Sequence, residues 1–77
     1  MIPGVSSDIC VRLGKRIRDL RKAKGWTQFE MAAKMGFDRS YIAEVETGKI
    51  EICLRNLEVV AQTFGLEPHQ LLRLASK

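Results

Sequence analysis

The apolar residues of this 77-residue chain fall at helical spacing almost from end to end. Ile9, Leu13, Ile17 and Leu20 recur every three or four positions, which predicts a first helix from near Asp8 to Lys24, with Gly25 past its end. Gly14 interrupts that helix and should cost up to about 1 kcal/mol relative to alanine. Met31, Ala32 and Met35 mark a second helix over about 28–35. Thr27 and Glu30 have the spacing of a capping box at its start, and Gly36 can take the left-handed backbone that ends it. Asp38 is a good N-cap for a third helix over about 39–46, which buries Ile42 and Val45 and is closed by Gly48. A loop over 49–53 leads to a fourth helix over about 54–64, with Leu54, Leu57, Val60, Ala61 and Phe64 inward and Gly65 at its end. Pro68 suits the first turn of a fifth helix, whose apolar side is Leu71, Leu72 and Leu74. The expected fold class is all-α, a compact five-helix domain without strands.

Length leaves room for one domain over residues 1–77, burying about 60–65% of its unfolded surface. Pro3, Gly4, Ser6 and Ser7 make residues 1–7 read as a loose leader, and Ala75 to Lys77 as a short tail. No basic region followed by an apolar run opens the chain, and no apolar stretch reaches transmembrane length. Cys10 and Cys53 stand apart from each other and from His69, so the expectation is two reduced core thiols in a cytoplasmic, prokaryotic-type protein. No nucleophile–base pair, metal cluster or phosphate loop is visible. The chain is therefore not expected to be an enzyme, nor to need a metal, cofactor or small-molecule ligand.

Charge changes the picture more by its placement than by its total of +4. Residues 1–25 carry seven basic side chains against Asp8 and Asp19, a net of +5, while residues 26–77 carry a net of −1. A basic first helix can serve a polyanion through counterion release, or can simply be a solvated face. The neighbouring segment favours nucleic acid. Two short helices joined by a Gly-containing turn, over Trp26 to Lys49, match the helix-turn-helix motif.

Here the chain resembles the phage-repressor-like (Xre/Cro-type) helix-turn-helix family. The resemblance rests on T-Q-x-x-M-A-x-x-x-G at 27–36, Ile42, and V-E-x-G at 45–48. I-R-D-L-R at 17–21, K-G-W-T-Q at 24–28 and L-R-N-L-E-V-V-A-Q-T-F-G-L at 54–66 extend it over roughly residues 12–73. The stretch D-R-S-Y-I at 38–42 further resembles the controller proteins of restriction–modification systems. The resemblance implies a lambda-repressor-like fold. The chain departs from it at Cys53, where family members often place Ser or Thr before the fourth helix.

Arg39 is the leading candidate base reader, because it follows the cap of the third helix and an arginine fork fits the O6/N7 edge of guanine. A phosphate contact or a free surface charge is the plainer alternative. Ser40 can bond base or phosphate, or be an ordinary first-turn residue. Tyr41 can place its hydroxyl on a phosphate and its ring on thymine methyls, or pack half-buried on the second helix. The resemblance extends base contact to Glu44, which can accept from cytosine N4 or stay solvated. It also implies that Gln28 binds a phosphate, which the amides and dipole at that helix start favour independently. Thr27, Thr47 and Lys49 are further phosphate candidates; Lys34 and Arg18 are weaker ones. The resemblance pairs Arg21 with Glu46 as a structural ion pair. Trp26 reads as a core or interhelix aromatic, and Met31 and Met35 as core.

A third helix reads only a few base pairs, so the expected reader is a homodimer on a (pseudo)palindromic operator. Leu66, Leu71, Leu72 and Leu74 exceed what a small monomer should need to bury, and are the expected dimer surface; Leu71 and Leu72 are about 100° apart on a helix, so one of the two faces the core and the other the partner. Double-stranded DNA and a second copy are the expected partners, with control by protein concentration or by a partner protein, and no membrane. The reading is a transcriptional regulator; the alternative is a protein-interaction module, antitoxin-like or adaptor, favoured by Glu30, Asp38, Glu44 and Glu46 near the reading face.

Overall fold

The structure, a computed structural model, describes the backbone of residues 5–74 and the side chains of residues 9–74. It consists of α1 (Val5–Ala23), α2 (Gln28–Met35), α3 (Arg39–Glu46), α4 (Leu54–Thr63) and α5 (Pro68–Leu71), with no strand among the described residues. The helix α1 begins three residues ahead of Asp8, so residues 5–7 are helical rather than leader. Val5, Ser6 and Ser7 contain no helix breaker, and Pro3 and Gly4 precede them. The remaining leader residues, 1–4, and the tail, 75–77, lie outside the described residues.

The capping box is formed at the start of α2. Thr27 Oγ1 accepts from the Glu30 amide at 3.0 Å, and Glu30 Oε1 accepts from the Thr27 amide at 2.8 Å. Gly36 ends α2 in the left-handed region at φ 75° and turns the chain toward α3. Asp38 holds the N-cap position of α3 in extended backbone, but its side chain makes no cap bond. The core stacks Leu13 and Ile17 of α1, Met31, Ala32 and Met35 of α2, Ile42 and Val45 of α3, and Leu57, Val60 and Ala61 of α4. Phe64 closes it and stacks on half-buried Trp26, with ring centroids 5.4 Å apart.

The expected burial of Ile9, Leu54, Cys10 and Cys53 is corrected at the rim. Ile9 and Leu54 are 46% and 82% exposed, because each stands at the outer end of its helical stripe, one turn before the first buried residue. Cys53 is exposed at the N-cap of α4, and Cys10 is half-buried, so neither thiol is a core residue. Of the adjacent leucines, Leu72 faces outward, while Leu71 is the one that faces the core and is fully buried. Arg16 explains its docking: Nη2 donates to the Gln70 carbonyl at 2.9 Å and Nε to that of Leu71 at 3.3 Å, holding α5 on α1.

Gly14 has a positive role that helix propensity does not show. A Cβ there would lie 2.4 Å from the Val45 carbonyl oxygen and 2.6 Å from that of Glu46. The backbones of α1 and α3 therefore cross at a distance only glycine permits, and this crossing sets the attitude of α3. Among the described residues no helix is long and apolar enough to cross a membrane.

Candidate nucleic-acid interface

The starts of α2 and α3 come together on one exposed side of the molecule. The link is a chain of hydrogen bonds that runs from the core outward. Arg21 of α1 and Glu46, the last residue of α3, form a buried two-point ion pair, Nε to Oε2 at 2.6 Å and Nη2 to Oε1 at 3.0 Å. Arg21 Nη1 also donates to the Trp26 carbonyl at 2.8 Å. The hydrogen bond to Glu46 raises the Arg21 pKa above its ordinary value, against desolvation that lowers it. Glu46 Oε1 accepts a further bond, from Gln28 Nε2 at 3.1 Å. Gln28 Oε1 in turn accepts from Arg39 Nη1 at 3.2 Å.

This chain orients two ligand groups. A carboxylate only accepts, so Glu46 fixes which end of the Gln28 amide points inward. One Nε2 proton is left for an outside acceptor. The capping box engages the amides of Thr27 and Glu30, leaving those of Gln28 and Phe29, which a helix cannot satisfy internally. These groups, with the dipole of α2 behind them, suit a phosphate oxygen. Arg39 is exposed, and its guanidinium is steadied by Gln28 with most of its donors outward.

Ser40 and Glu44 are exposed on α3, and Lys49 is exposed just past it. Thr47 is placed differently. Its hydroxyl donates to the Ala43 and Glu44 carbonyls at 3.0 and 3.2 Å, so in this structure its proton caps α3 instead of facing a phosphate. Tyr41 is half-buried, edge-on to Phe37. The basic face of α1 is partly engaged internally: Arg16 by α5, Arg21 by Glu46, and Lys15 by Asp19 at 3.3 Å. Arg18 is exposed, while Lys34 Nζ sits 4.9 Å from the Trp26 ring centroid. Of the leucines expected at a dimer surface, Leu66 and Leu74 pack half-buried on the core and Leu72 is 42% exposed.

Sequence reasoning missed the Gln28–Arg39 bond, the role of Arg16 and the participation of Asn56, whose Nδ2 donates to the Tyr41 hydroxyl at 2.9 Å. Each joins residues far apart in sequence, and no local pattern signals such a pair.

Comparison with known proteins agrees with this geometry. A hypothetical transcription factor of Neisseria meningitidis serogroup B is 38% identical over 65 residues, which cover 84% of this chain and 61% of that protein. The chain thus spans somewhat under two thirds of that relative. Among solved structures, the restriction–modification controller protein C.AhdI from Aeromonas hydrophila is similar at TM-score 0.77 and 40% identity, covering 80% of this chain and 94% of that one. The biofilm master regulator SinR, solved in complex with DNA, is similar at TM-score 0.73 and 33% identity, covering 78% of this chain and 97% of that one. Residues 17–71 match the helix-turn-helix family. With its two short helices, its capped turn and an exposed third helix backed by a buried ion pair, the chain belongs to the helix-turn-helix family of DNA-binding transcriptional regulators.

Proposed function

We propose that the protein acts by occupancy of a (pseudo)palindromic operator, bound as a homodimer with one α3 in each of two successive major-groove half-sites. The Gln28–Arg39 hydrogen bond carries this reading, because it ties a phosphate-facing group to a base-facing one with the core ion pair behind both. Arg39 reads guanine, with Ser40 and Glu44 beside it on α3. Gln28, Thr27 and Lys49 hold the backbone: the Thr27 hydroxyl accepts the cap bond and keeps its proton to donate. The similarity to C.AhdI over nearly all of that protein supports a controller role. Selection from random duplex DNA tests the reading directly, since a two-fold consensus should emerge. Arg39→Ala should then weaken the selected operator by about 1–3 kcal/mol and relax preference at one position per half-site. An equal loss on every sequence would reduce Arg39 to a phosphate contact.

The dimer surface is proposed at the apolar hollow between the start of α1, the loop before α4 and the end of α5. Ile9, Ile52, Leu54 and Leu72 line it, and three of these are among the most exposed large apolar side chains. Leu72 is retained in the proposed surface, and Ile9 and Leu54 join it in place of Leu71. Burying a leucine is worth about 1.5–3 kcal/mol, and a two-fold interface counts each side chain twice. Leu72→Glu is expected to give a folded monomer that loses the operator far more than it loses random duplex. Light scattering with circular dichroism checks the first part and a titration the second; a dimeric Leu72→Glu variant would place the interface elsewhere.

A further inference from the structure

Tyr41 follows Ser40 on the reading helix, yet its side chain is held from two sides. Its ring meets Phe37 edge-on, with centroids 5.0 Å apart and planes at 61°. Its hydroxyl oxygen accepts from Asn56 Nδ2 at 2.9 Å. Asn56 lies in the first turn of α4 and is itself half-buried. A phenol has one proton and an oxygen that accepts. The Asn56 Nδ2 group occupies an accepting site on that oxygen and, being a donor only, cannot take the phenolic proton. What remains is a neutral donor, aimed away from Asn56, beside the hollow formed by Gly36, Phe37, Asp38, Tyr41 and Asn56.

Two residues further along a helix is a rotation of about 200°, so Tyr41 leaves α3 on the side nearly opposite Arg39, on the flank turned toward Phe37 and Asn56. The flank of a helix seated in a groove faces the sugar–phosphate wall, not the base edges. We infer that Asn56 is a positioning residue for DNA binding: it holds the Tyr41 hydroxyl as a donor to a backbone phosphate oxygen. The inference rests on the reading of α3 as the groove helix. The Asp38 carboxylate on the same hollow opposes an anion. The contact is therefore worth a single neutral hydrogen bond, and it acts only with the duplex already held by Gln28 and Lys49.

The test is a double-mutant cycle on the selected operator, titrated at several salt concentrations, with melting curves to confirm that each variant is folded. Tyr41→Phe should weaken binding roughly three- to tenfold, the range of one neutral hydrogen bond. The slope of log K against log salt should not change, because a neutral donor releases no counterion. The preferred sequence should also stay the same. Asn56→Ala should weaken wild-type binding and add nothing to Tyr41→Phe. Asn56→Asp, which can only accept, should draw the phenolic proton inward and so weaken wild type more than it weakens Tyr41→Phe. The proposal is overturned if Tyr41→Phe binds like wild type, or if either Asn56 variant has equal effects in both backgrounds. Arg39→Ala separates the two levels. If it too leaves binding intact, the groove reading of α3 has failed; if it alone loses the operator, only the role of Asn56 has.

Discussion

Gly14→Ala should lower stability by about 2–3 kcal/mol, although alanine is the better helix former by up to about 1 kcal/mol. Propensity and packing oppose each other here, and the distances decide between them. The new methyl would lie 2.4 Å from the Val45 carbonyl oxygen and 2.6 Å from that of Glu46. Both are backbone atoms, so no side chain can swing away to make room. Relief requires α1 and α3 to separate, which loosens the packing of Leu13 and Ile17 on Ile42 and Val45. Overpacking typically costs about 1–3 kcal/mol, occasionally more, and a clash with two carbonyls belongs at the upper end. In a domain of this size the midpoint of thermal unfolding should fall by roughly 10–20 °C. A variant that melts at or above the wild-type temperature would show that the helices do not cross so closely. The variant should also bind DNA less well than its folded fraction allows, since the displaced end of α3 carries Glu46.

Much of this fold could be read from short-range pattern. The Thr27–Glu30 box, the left-handed Gly36 and the spacing of Met31 and Met35 depend on residues within one or two turns, and each stands where local chemistry puts it. The rim was less legible. Periodicity shows which face of a helix is apolar, but not how far along its axis the core extends, so it predicts Ile9 and Leu54 inside while both are exposed. For the adjacent pair Leu71 and Leu72, the pattern requires only that they diverge; that Leu71 is the inward one depends on how α5 sits on the rest of the fold, where Arg16 of α1 bonds the Gln70 and Leu71 carbonyls. Gly14 looked like a helix defect because the partner backbone that explains it is more than thirty positions away. At the interface, residue types suggested Gln28 and Arg39 separately. That one holds the other follows from the tertiary placement of α2 against α3, and nothing in either sequence neighbourhood encodes it.

Removal of Glu46 should have the largest effect of any single side-chain change, and how stability can be recovered shows what the residue is for. Glu46→Ala leaves the Arg21 guanidinium buried with the Trp26 carbonyl as its remaining partner among the described residues. Breaking a buried pair from one side costs about 3–5 kcal/mol, enough to unfold much of a small domain at ordinary temperature. Replacing both partners by apolar residues, Arg21→Met with Glu46→Leu, removes the stranded charge and should bring stability back to within about 1 kcal/mol of wild type. Binding should not return with it. Gln28 would have lost the acceptor that orients its amide, and Arg39 would lose the fixed oxygen it bonds. Operator affinity of the double variant should stay roughly tenfold low, the scale of one hydrogen bond to a charged group. Its net charge equals that of wild type, so the salt dependence should be unchanged, and the relaxed position in the operator should be the one Arg39 reads. A stable double variant with wild-type affinity and preference would reduce the ion pair to a packing device. A stable one that has lost selectivity would mean that the buried charge is there to aim the two residues at the protein surface, and that its cost in desolvation is accepted for orientation rather than for stability.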